Sequence, residues 1–202
     1  MKLEVPFYKQ ITNLDCGPVA LHMIFSYFGE NYDLDFIAEK AGVKEGKGVS
    51  TLRLAIASMS LGFPTKLFSK TIYFDESNMD LDFYKNSGDM NLEESKLLVK
   101  EARDRGIELQ EKTLSLEELL DYVSSDSIPI MLLDWNIVLG ESEKGYQGHF
   151  VPLIGFDDKY IYVHNQGLKN PTAFMKIEKD IFDKARKAKG TDEDILVIYK
   201  KR

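Results

Sequence analysis

The only cysteine of the chain, Cys16, stands among residues suited to nucleophilic chemistry: Gln10 six positions upstream, Asp15 directly before it and Gly17 directly after. Ala20, Leu21, Ile24, Phe25 and Phe28 recur near a 3.6 period, which predicts a helix from Cys16 to Gly29 with Asp15 as its N-cap. A helix start presents unpaired N–H groups and the positive end of the peptide dipole. A thiol placed there is expected to ionise more easily than a free one, and the thiolate is the attacking species. Gly17 would allow a substrate carbonyl to approach the backbone. Gln10, on an extended arm from Pro6 to Gln10, would return beside Cys16 and offer its amide to an oxyanion. A free cysteine by default packs as a small hydrophobe. The combination, not the thiol alone, points to catalysis.

A cysteine nucleophile needs a base, and there are three histidines. His22 lies about 240° around the same helix from Cys16, so its ring is read as structural. His149 follows the polar loop Gly145-Tyr146-Gln147-Gly148 and opens an apolar strand, which would hold an imidazole at a sheet edge with rigid structure behind it. In the strand Lys159–Asn165 the side chains alternate. With the aliphatic face inward, Ile161, Val163 and Asn165 point to the interior and His164 to solvent. The turn at Asp157-Asp158 makes this strand the antiparallel neighbour of the His149 strand, bringing Asn165 and His149 to the same sheet end. Asn165 would accept the second N–H of the imidazole and fix its orientation. The expectation is a Cys16–His149–Asn165 triad, with His164 as base the lesser option. Trp135 and Tyr146 flank the loop before His149 and are expected, with Gly17 and Gly148, to wall the substrate cleft.

Two blocks resemble the C39-like cysteine peptidases, papain-fold proteins that include the bacteriocin leader-processing peptidases. One is Gln10 with Cys16-Gly17-Pro18-x-Ala20-Leu21-x-Met23; the other is Gly148-His149-Phe150-Val151 leading to Gly155-Phe156-Asp157-Asp158. The likeness covers the first helix, the Leu114–Leu133 segment and the His149–Asn165 hairpin, while Lys66–Gly106 carries no signature of it. It implies Cys16 as nucleophile, His149 as base, Gln10 at the oxyanion hole and a polar residue on the strand after the hairpin. Those relatives usually carry Asp-Pro at that last position, whereas this chain has Asn165-Gln166-Gly167.

The elements that must position these groups follow from the pattern. Helices are predicted at Asp33–Ala41, from Ser50 or Thr51 to Leu61, at Leu92–Arg105, from a Ser115/Glu118 capping box to Tyr122, and at Lys179–Ala188. Strands are predicted at Thr65–Phe74, Ile128–Leu133, His149–Phe156, Lys159–Asn165, Thr172–Ile177 and Ile195–Tyr199, with Asp75–Met90 a long loop. Helices dominate early and strands late, so the class is α+β. The expected architecture is one papain-like domain over residues 1–202, with a helical lobe at about 1–125 and a sheet lobe at about 126–202.

Composition sets the remaining bounds. The net charge of −7 argues against nucleic acid, and one cysteine cannot close an intramolecular disulfide. No apolar run approaches the roughly 18 residues of a membrane span, and no signal-peptide h-region follows Met1, so a cytoplasmic location is expected. No cofactor or metal is expected. The histidines and cysteine form no zinc signature, Asp80, Asp82, Asp89, Asp157 and Asp158 match no calcium loop, and Gly46-Lys47-Gly48 is too short to cradle phosphate. The leading reading is a thiol hydrolase acting on a peptide or amide through a thioester. An acyltransferase on the same triad and a catalytically silent binding module are the alternatives; intact Cys16, His149 and Gln10 argue against the silent one.

Overall fold

The computed structural model describes residues 1–201. It is a mixed α+β structure built on one seven-stranded sheet, in the order β2-β1-β7-β3-β4-β5-β6. The strands are β1 (Thr65–Ser69), β2 (Glu108–Glu111), β3 (Ser127–Asp134), β4 (Gly148–Phe156), β5 (Tyr160–Asn165), β6 (Thr172–Glu178) and β7 (Ile195–Tyr199). Only β1 and β2 run parallel; the other neighbours are antiparallel. Every residue of β3 is buried, so the middle of the sheet is covered on both faces.

The predicted helices form as α1 (Cys16–Tyr27), α2 (Leu34–Lys40), α3 (Thr51–Ser60), α5 (Leu92–Asp104), α6 (Leu116–Leu120) and α8 (Lys179–Arg186). The first two stop where glycines at positive φ, Gly29 and Gly42, take the left-handed position that a side chain resists. The Ser115/Glu118 capping box closes in both directions. Asp15 behaves differently from the expectation. It occupies the N-cap of α1, but its carboxylate accepts the Thr12 N–H at 2.7 Å instead of capping the helix. The helix start is thereby left open on the side of Cys16.

Three segments depart from the pattern reading. Asp75–Met90 is not a loop: it holds a 3₁₀ turn at Glu76–Asp80 and a short helix, α4 (Asp82–Ser87). Its polar composition hides two contacts made elsewhere, by Asn78 with Asp192 and by Tyr84 with the Gly190 carbonyl. A second short helix, α7 (Trp135–Val138), follows β3 at once, opened by Asp134 accepting the Asn136 N–H at 3.1 Å. The predicted Thr65–Phe74 strand ends at Ser69, and β2, unread in the sequence, pairs beside it in parallel.

Helix α1 is buried on most of its circumference and packs on β4. That contact sets the role of Gly17. A Cβ there would lie 2.7 Å from Val49 Cγ1 and 2.9 Å from both Leu54 methyls. Gly17 is therefore required by packing against Val49 and Leu54, independently of any backbone contact with substrate. Replacing Gly17 with Ala should cost about 1–3 kcal/mol of stability by overpacking, measured by chemical denaturation; an unchanged midpoint would contradict this account.

Candidate active site

Three stretches of chain meet at the start of α1. The N-terminal arm runs from β4 to the end of β5, with Leu3 N–H donating to Ile154 O at 2.8 Å and Gln10 N–H to Gln166 O at 2.9 Å. This returns Gln10 to the end of β5, beside the helix it precedes. β5 pairs with β4 only from Leu153 onward. The Gly148–Phe150 end of β4 is thus free of a strand on that side, and α1 fills the space.

His149 and Asn165 come together as the hairpin predicts. The His149 Nε2 and Asn165 Oδ1 atoms are 3.2 Å apart, and both residues are buried. An amide oxygen only accepts, so it selects the tautomer with the proton on Nε2 and leaves Nδ1 with its lone pair. Asn165 is itself fixed: its Nδ2 donates to Asn170 O at 2.9 Å and its Oδ1 also accepts from the Gly167 N–H at 3.1 Å. Trp135 packs edge-on to the imidazole, with centroids 4.7 Å apart at 69°. The loop that delivers His149 is pinned to α7, as Asp134 Oδ1 accepts the Gln147 N–H at 3.2 Å and Gln147 O accepts the Trp135 N–H at 2.7 Å.

The Cys16 thiol sits at the first turn of α1 against the backbone N–H of Phe150, the residue after His149. The N–H groups of Cys16 and Gly17 also face it. These donors favour the thiolate, but burial outweighs them and pushes the thiol above its ordinary value. The helix-start donors lower the thiol as the sequence leads one to expect, but burial is the larger effect, and the sequence does not show the depth at which the thiol lies. Burial also drives His149 down to about 4, with the Asn165 hydrogen bond opposing. Near neutrality the resting pair is an uncharged thiol and an uncharged imidazole.

Gln10 is buried, and its Nε2 donates to Thr12 O at 2.9 Å. One amide hydrogen remains, and Oε1 has no partner. A groove is lined by Gln10, Trp135, Gly148, His149, Asn165 and Gly167. A second, deeper cavity on the other side of Gly148 is lined by Cys16, Phe150 and Tyr146. Asn13, Leu14, Phe83, Ser87 and Gly148 border both. Gly148 has no room for a Cβ, which would fall 2.8 Å from Tyr146 Oη and 3.1 Å from Phe83.

The two remaining histidines are structural. His22 stacks on Tyr8, with centroids 4.5 Å apart at 13°. His164, expected to face solvent, is fully buried; its Nε2 meets Val5 O at 2.9 Å and its Nδ1 accepts the Phe174 N–H at 3.1 Å. The arm covers the face that alternation assigned to water, and a register shift between Val163 and Asn165 lets both faces of β5 be buried.

Sequence reasoning missed Gln166. Its fully buried amide donates to Cys16 O at 2.9 Å and to Phe150 O at 2.5 Å, joining the nucleophile helix to the histidine strand. The signal was its place directly after Asn165. Also missed were Phe83, Tyr84, Asp192 and Asp194 in the deep cavity, which come from segments without catalytic motifs. Among the described residues no three His, Cys, Asp or Glu side chains converge to hold a metal, and no helix is long and apolar enough to cross a membrane.

The fold is that of the C39 papain-like peptidase domains. The chain superposes on a C39-like peptidase from Bacillus anthracis with a TM-score of 0.60 (14% identity, 100% of this chain and 98% of that one). A double-glycine-motif protease from an AMS/PCAT transporter, solved with its leader peptide, gives 0.57 (20%, 100% and 94%). The peptidase domain of Streptococcus ComA gives 0.55 (14%, 98% and 100%). By sequence, residues 5–198 match the family described as guanylylate cyclase, and the chain belongs to that family. Guanylyl cyclase 1 of Arabidopsis thaliana is similar to it, at 24% identity over 97% of this chain and 76% of that protein.

Two measurements test the site. Iodoacetamide should label Cys16 more slowly than a free thiol at pH 7, with the rate still rising above pH 9; faster labelling at pH 7 would contradict a buried neutral thiol. Gln166→Leu should lose about 1–3 kcal/mol of unfolding free energy, because Phe150 O loses its donor and Cys16 O one of its two.

Proposed function

We propose that the protein is a cysteine-dependent hydrolase of peptide or amide bonds, working through a thioester on Cys16. The observation that carries this reading is the buried His149–Asn165 hydrogen bond, which leaves Nδ1 free to act as the base, on the strand whose next residue, Phe150, turns its N–H to the Cys16 thiol. The C39-like fold supports it at the level of class.

In the first step the Cys16 sulfur attacks the carbonyl carbon while His149 Nδ1 takes the thiol proton. Coupled transfer suits a pair that rests uncharged, since neither group need carry a buried charge before substrate arrives. The oxyanion meets the Cys16 backbone N–H and the free amide hydrogen of Gln10. Collapse breaks the C–N bond, and the imidazolium returns its proton to the leaving amine. Water then attacks the thioester, with His149 again taking a proton and Cys16 leaving as the thiol. An amine in place of that water would make the protein an acyltransferase, and product analysis with added amine separates the two.

The family's name raises a second reading, cyclisation of a guanine nucleotide. That chemistry needs cations, from metals or basic side chains, against a triphosphate. The cavity at Cys16 is lined by three aspartates and by no Lys, Arg or His. That cavity offers a triphosphate no cationic side chain, and among the described residues no three His, Cys, Asp or Glu side chains converge to hold a metal; Lys144 and Lys169 border the His149 groove instead, so no step is assigned to a triphosphate in the cavity.

With p-nitrophenyl acetate, the expected result is a hydroxylamine-labile acetyl group on Cys16, seen by intact mass. It should be absent in Cys16→Ala and should form about 10²–10⁴-fold more slowly in His149→Ala. The imidazole must be neutral to accept a proton, so the acid limb of the rate should fall near pH 4, below the usual 6.5 of histidine. Acylation that is indifferent to His149, or cyclic GMP made from GTP by the Cys16→Ala variant, would overturn the reading.

A further inference from the structure

The deep cavity beside Cys16 holds about 100 Å³ and has an uneven chemistry. Its walls are mostly apolar, with Leu52, Leu67, Ile72, Leu132 and Phe150 among them, while its charged lining is acidic throughout: Asp89, Asp192 and Asp194. Asp89 is already neutralised, with Arg53 Nε at 3.1 Å and the Ser50 N–H at 3.1 Å. The other two are not. Asp192 accepts both its hydrogen bonds from the Asn78 amide, at 3.0 and 3.2 Å, and Asp194 accepts from the Thr51 hydroxyl. Among the described residues, no Lys or Arg lies within ion-pair distance of either carboxylate.

A second observation points the same way. One hydroxyl oxygen lining the cavity, Ser50 Oγ, is buried without a hydrogen-bond partner, whereas Tyr146 Oη beside it meets the Tyr84 hydroxyl. Buried polar atoms in a folded protein are normally paired, and those that are not call for a group to be supplied. An oxygen that can accept, two carboxylates without a direct ion pair (Lys70 acts on Asp192 only at longer range) and an apolar sleeve together describe the surroundings of a cation on a hydrocarbon stem.

We infer that this cavity is the specificity pocket of the Cys16 site, and that it takes a protonated amine or guanidinium on an aliphatic stem, as a lysine or arginine side chain presents. The assignment rests on the hydrolase reading for the carbonyl that Cys16 attacks; the pocket's charge preference does not. Asp194 is the residue that sets the preference most strongly. Burial and the nearby Asp192 hold it up to about 7 against the hydrogen bonds from Ser69 and Thr51, and a cation entering beside it would favour the ionised form. The same lining disfavours anionic groups, nucleotide phosphates included.

Because Cys16 is the only cysteine, its labelling reads the pocket directly. The probes are a matched pair of methanethiosulfonates, the ethylammonium and the ethylsulfonate. Each rate at pH 8.5 is divided by that for 2-mercaptoethanol. The cation should be favoured by at least about tenfold. Asp194→Asn and Asp192→Asn should each reduce that ratio several-fold, and the exposed control Asp158→Asn should not. Equal rates for the two probes, or a ratio that Asp158→Asn lowers as much as Asp194→Asn does, would overturn the pocket in favour of diffuse attraction by the −7 net charge. In the unmutated protein, n-butylammonium should slow labelling of Cys16 by iodoacetamide, and n-butyrate at the same ionic strength should not; absence of that protection also overturns it. Labelling needs no turnover. A charge preference without acetylation of Cys16 would therefore leave the pocket standing and remove the hydrolase.

Discussion

The site depends on one buried side-chain amide. Gln166 gives its two amide hydrogens to Cys16 O and Phe150 O, at the place where β4 has no strand beside it. Without that amide, Phe150 O would lack a donor on its open side and Cys16 O would keep only its helical bond, so nothing would tie the helix start to the strand edge. With it, the first turn of α1 is locked to β4, and the Cys16 thiol lies against the N–H of Phe150, one residue from His149. Gly17 sets the depth of the same contact, because α1 can settle against α3 only where no Cβ stands between Val49 and Leu54. The arm finishes the arrangement by bonding Gln10 to Gln166 through the backbone.

That closeness has an electrostatic consequence. A helix start lowers a thiol and a polar partner raises an imidazole, and both effects are present at Cys16 and His149. Burial is larger than either and drives the pair to its uncharged form. The site is thus suited to moving a proton as the sulfur attacks rather than to storing a thiolate. The neighbouring cavity uses the same low-dielectric setting differently: of its three aspartates only Asp89 has an ion-pair partner, while Asp192 and Asp194 have none, which costs stability at rest and favours a ligand that brings the missing charge.

The sequence made legible what depends on short-range pattern. The start of α1 at Cys16, the capping box at Ser115 and the Asp157-Asp158 hairpin that sets Asn165 beside His149 all follow from local periodicity and turn chemistry. Long-range closure was not legible. His164 looked solvent-facing because alternation does not show that an arm from residues 3–10 will cover the second face of β5. The packing need at Gly17 was hidden because its neighbour in sequence is Cys16, while the side chains that leave no room for a Cβ are those of Val49 and Leu54. The Asp75–Met90 segment read as loop, since Tyr84 and Asn78 are ordered by partners more than a hundred residues away. The pocket aspartates escaped for the same reason.

The most direct test of the account is the protonation state of the His149 ring, read by ¹⁵N NMR in selectively labelled protein across pH 3.5–8. The expected result is a neutral ring carrying its proton on Nε2, with Nδ1 unprotonated, that gains a second proton only near pH 4. A ring that titrates near 6.5, or that carries its neutral-state proton on Nδ1, would contradict the claim that Asn165 and burial hold this imidazole ready as the base for Cys16.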